Sequence, residues 1–188
     1  ACACYAPEIH QHLRFVEMDN LVPAQYMDSH KDINATMRGI LVDWMVEVAG
    51  EYKCQQQTLH LAATLLDRYL SRVTIKRSKL QLIGVTCMLI ASKIEEIHPP
   101  SADEMVYISD HTYTRSEILH MEATILTKLE FRLTGATSAE FLRRYLAVAK
   151  YDRGEDLTME HLAAYLIELG LQDFPCLRFM PSVVAAAA

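Results

Sequence analysis

Apolar side chains recur every three to four positions along most of this chain, and no stretch alternates apolar and polar residues long enough to suggest a strand. A period near 3.6 marks an α-helix with one face turned to a core. Over residues 35–52, Met37, Ile40, Leu41, Trp44 and Val48 form one stripe, and Val42, Met45, Val46 and Ala49 form a second. A helix apolar around most of its circumference belongs between neighbours, so this one is expected to be enclosed. Residues 59–71 carry Leu59, Ala62, Ala63, Leu66 and Leu70 on one side, the pattern of an ordinary amphipathic helix. Residues 78–96 are nearly all apolar through 82–91 and predict the most buried helix of the chain. A short helix after Ser101 and another over 115–130 complete a set of five.

The punctuation agrees with an all-α chain. Ser101 with Glu104, Thr114 with Glu117 and Thr137 with Glu140 each have capping-box spacing, in which a hydroxyl satisfies a free N–H and the carboxylate reaches back. Pro99-Pro100 ends whatever precedes Ser101, because proline cannot continue the hydrogen-bond ladder. After Thr134-Gly135 the programme restarts: His161-Leu-Ala-Ala-Tyr-Leu-Ile echoes His60-Leu-Ala-Ala-Thr-Leu-Leu. This reads as a tandem repeat whose second copy breaks off in a third helix begun at Pro181. An uncovered apolar face is expected there, with poor solubility or dependence on a partner.

Composition narrows the class. At about 150 residues per domain, 188 residues make one or two small domains. With 51% hydrophobic and 22% charged residues the chain can build a packed core, and disorder is not expected. A net charge of −6 offers no overall positive field for nucleic acid or anionic lipid. The run 82–91 is far short of the roughly 20 residues of a membrane span. Five scattered cysteines, an odd number without a Cys-x-x-Cys pair, read as reduced thiols of cytosol or nucleus. No initiating Met and no signal-like segment stand at Ala1, so the chain is read as an excerpt of a longer intracellular protein.

Candidate chemistry is sparse. Cys2, Cys4, His10 and His12 cluster near the start, but the spacing fits no zinc finger, and on a helix the two histidines point about 200° apart. A terminal helix, with no metal and no cofactor, is expected. Glu95-Glu96 is the only adjacent acidic pair in the apolar helix, and neighbours diverging by about 100° cannot flank one scissile bond. Neither a nucleophile elbow, nor a phosphate-binding glycine loop, nor His-Glu-x-x-His occurs, so an enzyme is not expected. Arg72, Lys76, Arg77 and Lys79 form a basic cluster without interleaved aromatics, read as a solvated loop. Two charges do interrupt apolar stripes. Glu122 lies among Ile118, Met121, Ile125 and Leu129 and needs a basic partner, for which Lys93 is the candidate. Arg38 and Asp67 sit at stripe edges and are expected to form a structural pair.

At these positions the sequence resembles the cyclin box. The match runs through Met37-Arg38-Gly39-Ile40-Leu41-Val42-Asp43-Trp44, Leu59-His60-Leu61-Ala62, Asp67-Arg68-Tyr69-Leu70, Leu80-Gln81-Leu82, Ala91-Ser92-Lys93-Ile94-Glu95-Glu96, Tyr107-Ile-Ser-Asp and Thr112-Tyr113-Thr114. It reaches Leu177-Arg178-Phe179-Met180-Pro181-Ser182-Val183 in the second copy. Val46-Glu47-Val48, Glu51-Tyr52-Lys53 and Thr58-Leu59-His60-Leu61 resemble A-type mitotic cyclins most, with B-type second.

The resemblance implies an N-terminal helix and linker (1–32), a five-helix first box (33–133) and the start of a second, incomplete box (134–188). It implies a regulatory subunit of cell-cycle control and cell division, nuclear and cytoplasmic, that binds and activates a cyclin-dependent serine/threonine kinase. By resemblance Lys93 and Glu122 are a kinase-contacting pair, with Ile94, Glu95, Glu96, Ile97, Leu126, Phe131 and Leu133 around them and Tyr5 and Ile9 contributed by the N-terminal helix. A second implied site is a groove for Arg-x-Leu docking segments of substrates and inhibitors. Met37, Ile40, Leu41, Trp44 and Leu80 would form its apolar floor, Gln81 would bind backbone and Glu47 the arginine. Periodicity alone would place that stripe in a core; the resemblance places it on a surface.

Three departures stand out: Gly39 for the usual alanine, Ile94 where an aromatic is common, and His12 where A-type chains carry tyrosine. The rival readings are a transcription adaptor of the same fold that binds DNA or a polymerase, which a net charge of −6 disfavours, and a helical enzyme with an unrecognised site.

Overall fold

In the computed structural model, which describes residues 3–19, 21–153 and 157–188, the regular elements among the described residues are all helical. After a 3₁₀ turn at Ala3–Tyr5 come α1 (Ala6–Asp19), a second turn at Tyr26–Ser29, α2 (Ala35–Glu51), α3 (Gln56–Leu70), a turn at Arg77–Lys79, α4 (Leu80–Glu95), α5 (Ala102–Ile108) and α6 (Arg115–Lys128). Then follow α7 (Ser138–Arg153), α8 (Leu157–Gln172), a turn at Phe174–Arg178 and α9 (Pro181–Ala187).

Local chemistry explains where these helices start and stop. Asn34 Oδ1 accepts the Met37 N–H at 2.9 Å and opens α2. The boxes at Ser101 and Thr114 close reciprocally, with Ser101 N–H on Glu104 Oε2 at 2.6 Å and Thr114 N–H on Glu117 Oε2 at 3.0 Å. Thr137 N–H likewise donates to Glu140 Oε2 at 3.2 Å. α2, α5 and α6 end alike, with Lys53, Asp110 and Glu130 in the left-handed region. The following N–H reaches back to the helix each time, from Cys54 to Ala49 O at 2.8 Å, His111 to Val106 O at 3.0 Å and Phe131 to Leu126 O at 2.9 Å.

The core is built around α3 and α4, which lie side by side. One flank of α4 packs Ile83, Cys87 and Ile90 into the main cluster with α2 and α3. Its other flank sends Leu82, Val85 and Leu89 against Met105, Tyr113 and Ile118 of the α5–α6 region. A helix with a core on both sides needs apolar residues all round, which is why 82–91 reads as one unbroken run. Gly84 marks the crossing with α2, since a Cβ there would stand 2.7 Å from Leu41 Cδ1.

Two expectations change. α3 begins at Gln56, earlier than the periodicity suggested, and is buried nearly all round instead of on one face. Its polar positions Thr58, His60, Asp67 and Arg68 are enclosed as well, so the polar side of the pattern faces other protein, not water. Conversely, the first α2 stripe is only partly enclosed: Leu41 and Val48 are buried, but Ile40 is 66% exposed.

α7, α8 and α9 share a second, smaller core of Phe141, Leu142, Ala163, Ile167 and Ala185. α1 leans on it, with His10 edge-on to Phe141 and Tyr145, and the buried Glu17 accepting the Ser182 N–H at 3.1 Å. The sequence echo between α3 and α8 has unequal surroundings. Leu61 and Leu65 are 1% and 0% exposed, whereas Leu162 and Leu166 are 55% and 40% exposed. α8 thus carries exposed leucines where α3 carries buried ones.

Candidate functional site

α4 and α6 are packed so that Lys93, in the last turn of α4, meets Glu122 in the middle of α6, Nζ to Oε1 at 2.5 Å. The carboxylate is largely shielded while the ammonium is half open, so the pair lies at the surface with Glu122 rooted in it. Just beyond Lys93 in the chain Ile94 and Ile97 stand exposed, Ile97 by 87%, as does Phe131 just past α6, while Leu126 and Leu133 are half-buried against the main core. Large apolar side chains clustered on a surface beside a shielded carboxylate suit recognition of another protein.

Glu95 and Glu96 turn elsewhere. Glu96 Oε1 accepts the Gln55 N–H at 2.7 Å and the Thr58 hydroxyl at 2.5 Å. It thereby caps α3, whose own preceding residue supplies no side-chain cap, and its charge complements the helix dipole. The Glu95 carboxyl is raised by burial, with Arg143 of α7 pulling the other way and Glu96 adding to the rise. Tyr5 and Ile9, 62% and 48% exposed, are carried by the segment that packs on α7 and α9.

The second cluster is a cleft of about 330 Å³ lined by Met37, Ile40, Leu41, Trp44, Leu80 and Gln81, six of the seven residues assigned to a docking groove. Glu47 lies on α2, about one turn beyond Trp44. Arg77 joins the lining although the sequence had put it in a solvated basic loop. The signal was its spacing: a helical turn at 77–79 running into α4 places Arg77 beside Leu80 and Gln81. Gly39 stands behind the cleft, where a Cβ would meet the Gln172 carbonyl of α8 at 3.3 Å. That spacing is tight for a Cβ without excluding one, and glycine in a helix interior costs about 1 kcal/mol relative to alanine.

Arg38 and Asp67 form a buried bidentate pair, Nε to Oδ1 and Nη2 to Oδ2, both 2.6 Å. Tyr26 donates to Oδ1 at 2.6 Å and Arg38 Nη1 donates to the Leu171 carbonyl at 2.7 Å. One ion pair thus ties the segment before α2, α2 itself, α3 and the end of α8. Burial alone would lower the guanidinium, but Asp67 outweighs it and raises it; burial and then Asp67 raise the Tyr26 hydroxyl. Of the four terminal metal candidates, Cys2 lies outside the described residues, and His10 packs edge-on to Phe141 and Tyr145. Among the described residues no helix is long and apolar enough to cross a membrane.

The cyclin N-terminal domain family matches residues 8–134, and the cyclin C-terminal domain family matches residues 136–188. The chain belongs to the cyclin family. Among its relatives are A-type cyclins of plants. This cyclin chain is 48% identical over 189 residues to putative cyclin-A3-1 of Arabidopsis thaliana, an alignment covering 100% of the chain and 53% of that protein. It is 46% identical to cyclin-A2-4 of the same plant, covering 100% of the chain and 41% of that protein. The cyclin chain therefore spans about half the length of these relatives, or less. An X-ray structure of a viral cyclin from herpesvirus saimiri superposes with a TM-score of 0.80 at 24% identity, covering 93% of this chain and 77% of that one. That likeness establishes the all-helical cyclin fold.

Proposed function

We propose that this chain is the kinase-regulating portion of an A-type cyclin. It binds a cyclin-dependent serine/threonine kinase in nucleus and cytoplasm and promotes its activity during division, with no active site of its own. The observation that carries the reading is the surface Lys93–Glu122 pair at 2.5 Å, which joins the end of α4, followed by the exposed Ile94 and Ile97, to α6, followed by the exposed Phe131. Such a surface offers hydrogen bonds of both signs inside an apolar rim, suited to holding a helix of the partner so that its catalytic Lys–Glu pair can form. Lys93→Ala or Glu122→Ala is expected to cut kinase activation at least about tenfold with unchanged helix content by circular dichroism. Activation within twofold of the parent would remove the pair from the interface.

The cleft of Met37, Ile40, Leu41, Trp44, Leu80 and Gln81, joined by Arg77 and flanked by Glu47, is the proposed seat for Arg-x-Leu segments of substrates and inhibitors. A few apolar anchors at about 1.5–3 kcal/mol each, less the entropy of association, give weak, reversible docking that raises local substrate concentration. Trp44→Ala is expected to lower kcat/KM about tenfold for an Arg-x-Leu substrate and to spare a short substrate peptide. Equal loss on both would place the effect in folding.

A further inference from the structure

Where the end of α3 meets the end of α6, three guanidinium groups gather with little to neutralise them. Arg68 is 6% exposed and its Nη1 has no hydrogen-bond partner. Among the described residues no carboxylate lies within ion-pair distance of it. Asp67, its neighbour in sequence, is committed to Arg38. Arg72, one turn further on, donates from Nη1 to the Lys128 carbonyl at 2.8 Å, which fixes its head at the end of α6. Arg132 follows the left-handed pair Glu130–Phe131, and among the described residues its one ion pair is with Glu130, at 3.7 Å, with both side chains open to water. Burial, and then the charges of Arg72 and Arg132, lower the Arg68 guanidinium. A buried cation facing two like charges is unfavourable unless an anion completes the group.

We propose that Arg68, Arg72 and Arg132 form a seat for a phosphoryl oxyanion. Guanidinium groups match tetrahedral oxyanions with paired N–H donors, and three of them suit a doubly charged phosphoryl better than a single carboxylate. Arg132 lies between Phe131 and Leu133, so the seat borders the surface proposed for the kinase. Free phosphate and a phosphoryl group carried by the kinase share this chemistry; the second source rests on that reading, the site itself does not.

The probe is inorganic phosphate, compared with chloride at equal ionic strength, in thermal melts of the whole chain. With a Kd on the order of 1 mM, phosphate in about twentyfold excess over it is expected to raise the melting temperature by about 3 °C or more. Arg132→Glu supplies an internal carboxylate to Arg68. It is expected to melt higher than the parent in chloride and to lose the response to phosphate. Arg72→Gln is expected to weaken the phosphate Kd about tenfold. The proposal is overturned if phosphate has no effect beyond chloride, if it stabilises parent and variants equally, or if Arg132→Glu melts lower in chloride and keeps the response. Binding of phosphorylated and dephosphorylated kinase then assigns the source. A tenfold preference for the phosphorylated form, lost in Arg132→Glu, places the phosphoryl on the kinase, and equal affinities assign the seat to free phosphate. A kinase that binds in neither form sinks the kinase reading and leaves the phosphate result standing.

Discussion

Arg38→Ala is expected to lower the free energy of unfolding by about 3–5 kcal/mol, read from urea denaturation. The cost comes less from the lost attraction than from what stays behind. Asp67 would be left as an uncompensated carboxylate at 2% exposure, and the Leu171 carbonyl would lose its donor. Asp67→Leu should cost a similar amount by stranding the guanidinium. The double change Arg38→Met with Asp67→Leu is expected to be less destabilising than either single one, because apolar side chains of similar volume need no desolvated partner. Single variants within about 1 kcal/mol of the parent would show that the pair does not hold α2, α3 and the end of α8 together.

The second large effect is a loss of stability in mild acid that traces to His60. Its ring is 1% exposed, both nitrogens lack partners, and burial alone lowers it from 6.5 to about 3. The folded state therefore holds the neutral ring while the unfolded chain takes up a proton below about pH 6.5. With more protons bound when unfolded, stability falls as pH drops from about 6.5 towards 3, by about 2 kcal/mol between pH 7 and pH 5. Burial raises the half-buried Glu95, Glu140 and Glu168 and gives a trend of the opposite sign, so the comparison must be made residue by residue. His60→Leu is expected to flatten this part of the profile relative to the parent; an unchanged slope would assign it to other groups. His161, the counterpart of His60 in the repeat, is exposed.

These histidines mark how far the sequence could be read. The two stand in the same local pattern, but α3 is enclosed by α4, α2, α7 and α8, whereas α8 keeps an open side. A pattern of seven residues reports the phase of a helix and not what packs on it. The capping boxes at Ser101, Thr114 and Thr137 were legible to the residue, because a cap is completed within four positions. The cap of α3 was not, since Glu96 supplies it from 41 residues away in sequence. Arg77 is exposed, as a charged residue in a turn should be, but that it also borders an apolar cleft depends on α2 lying beside it. The pairings of Lys93 with Glu122 and of Arg38 with Asp67 could be anticipated because an unpaired charge on an apolar stripe demands a partner. Their geometries differ, one at the surface and one sealed, and only packing set that difference.

The order of the elements, their helical nature, most of their ends and the family itself were written in the sequence, because they depend on hydrogen bonds and spacings that span a few residues. Which apolar stripe became core and which came to line an open cleft was decided by the tertiary structure. So were the sealing of His60 and the gathering of Arg68, Arg72 and Arg132 with no carboxylate among the described residues to answer Arg68. Burial and electrostatic environment are properties of the crossing of distant helices, and a residue's own neighbours in the chain do not carry them.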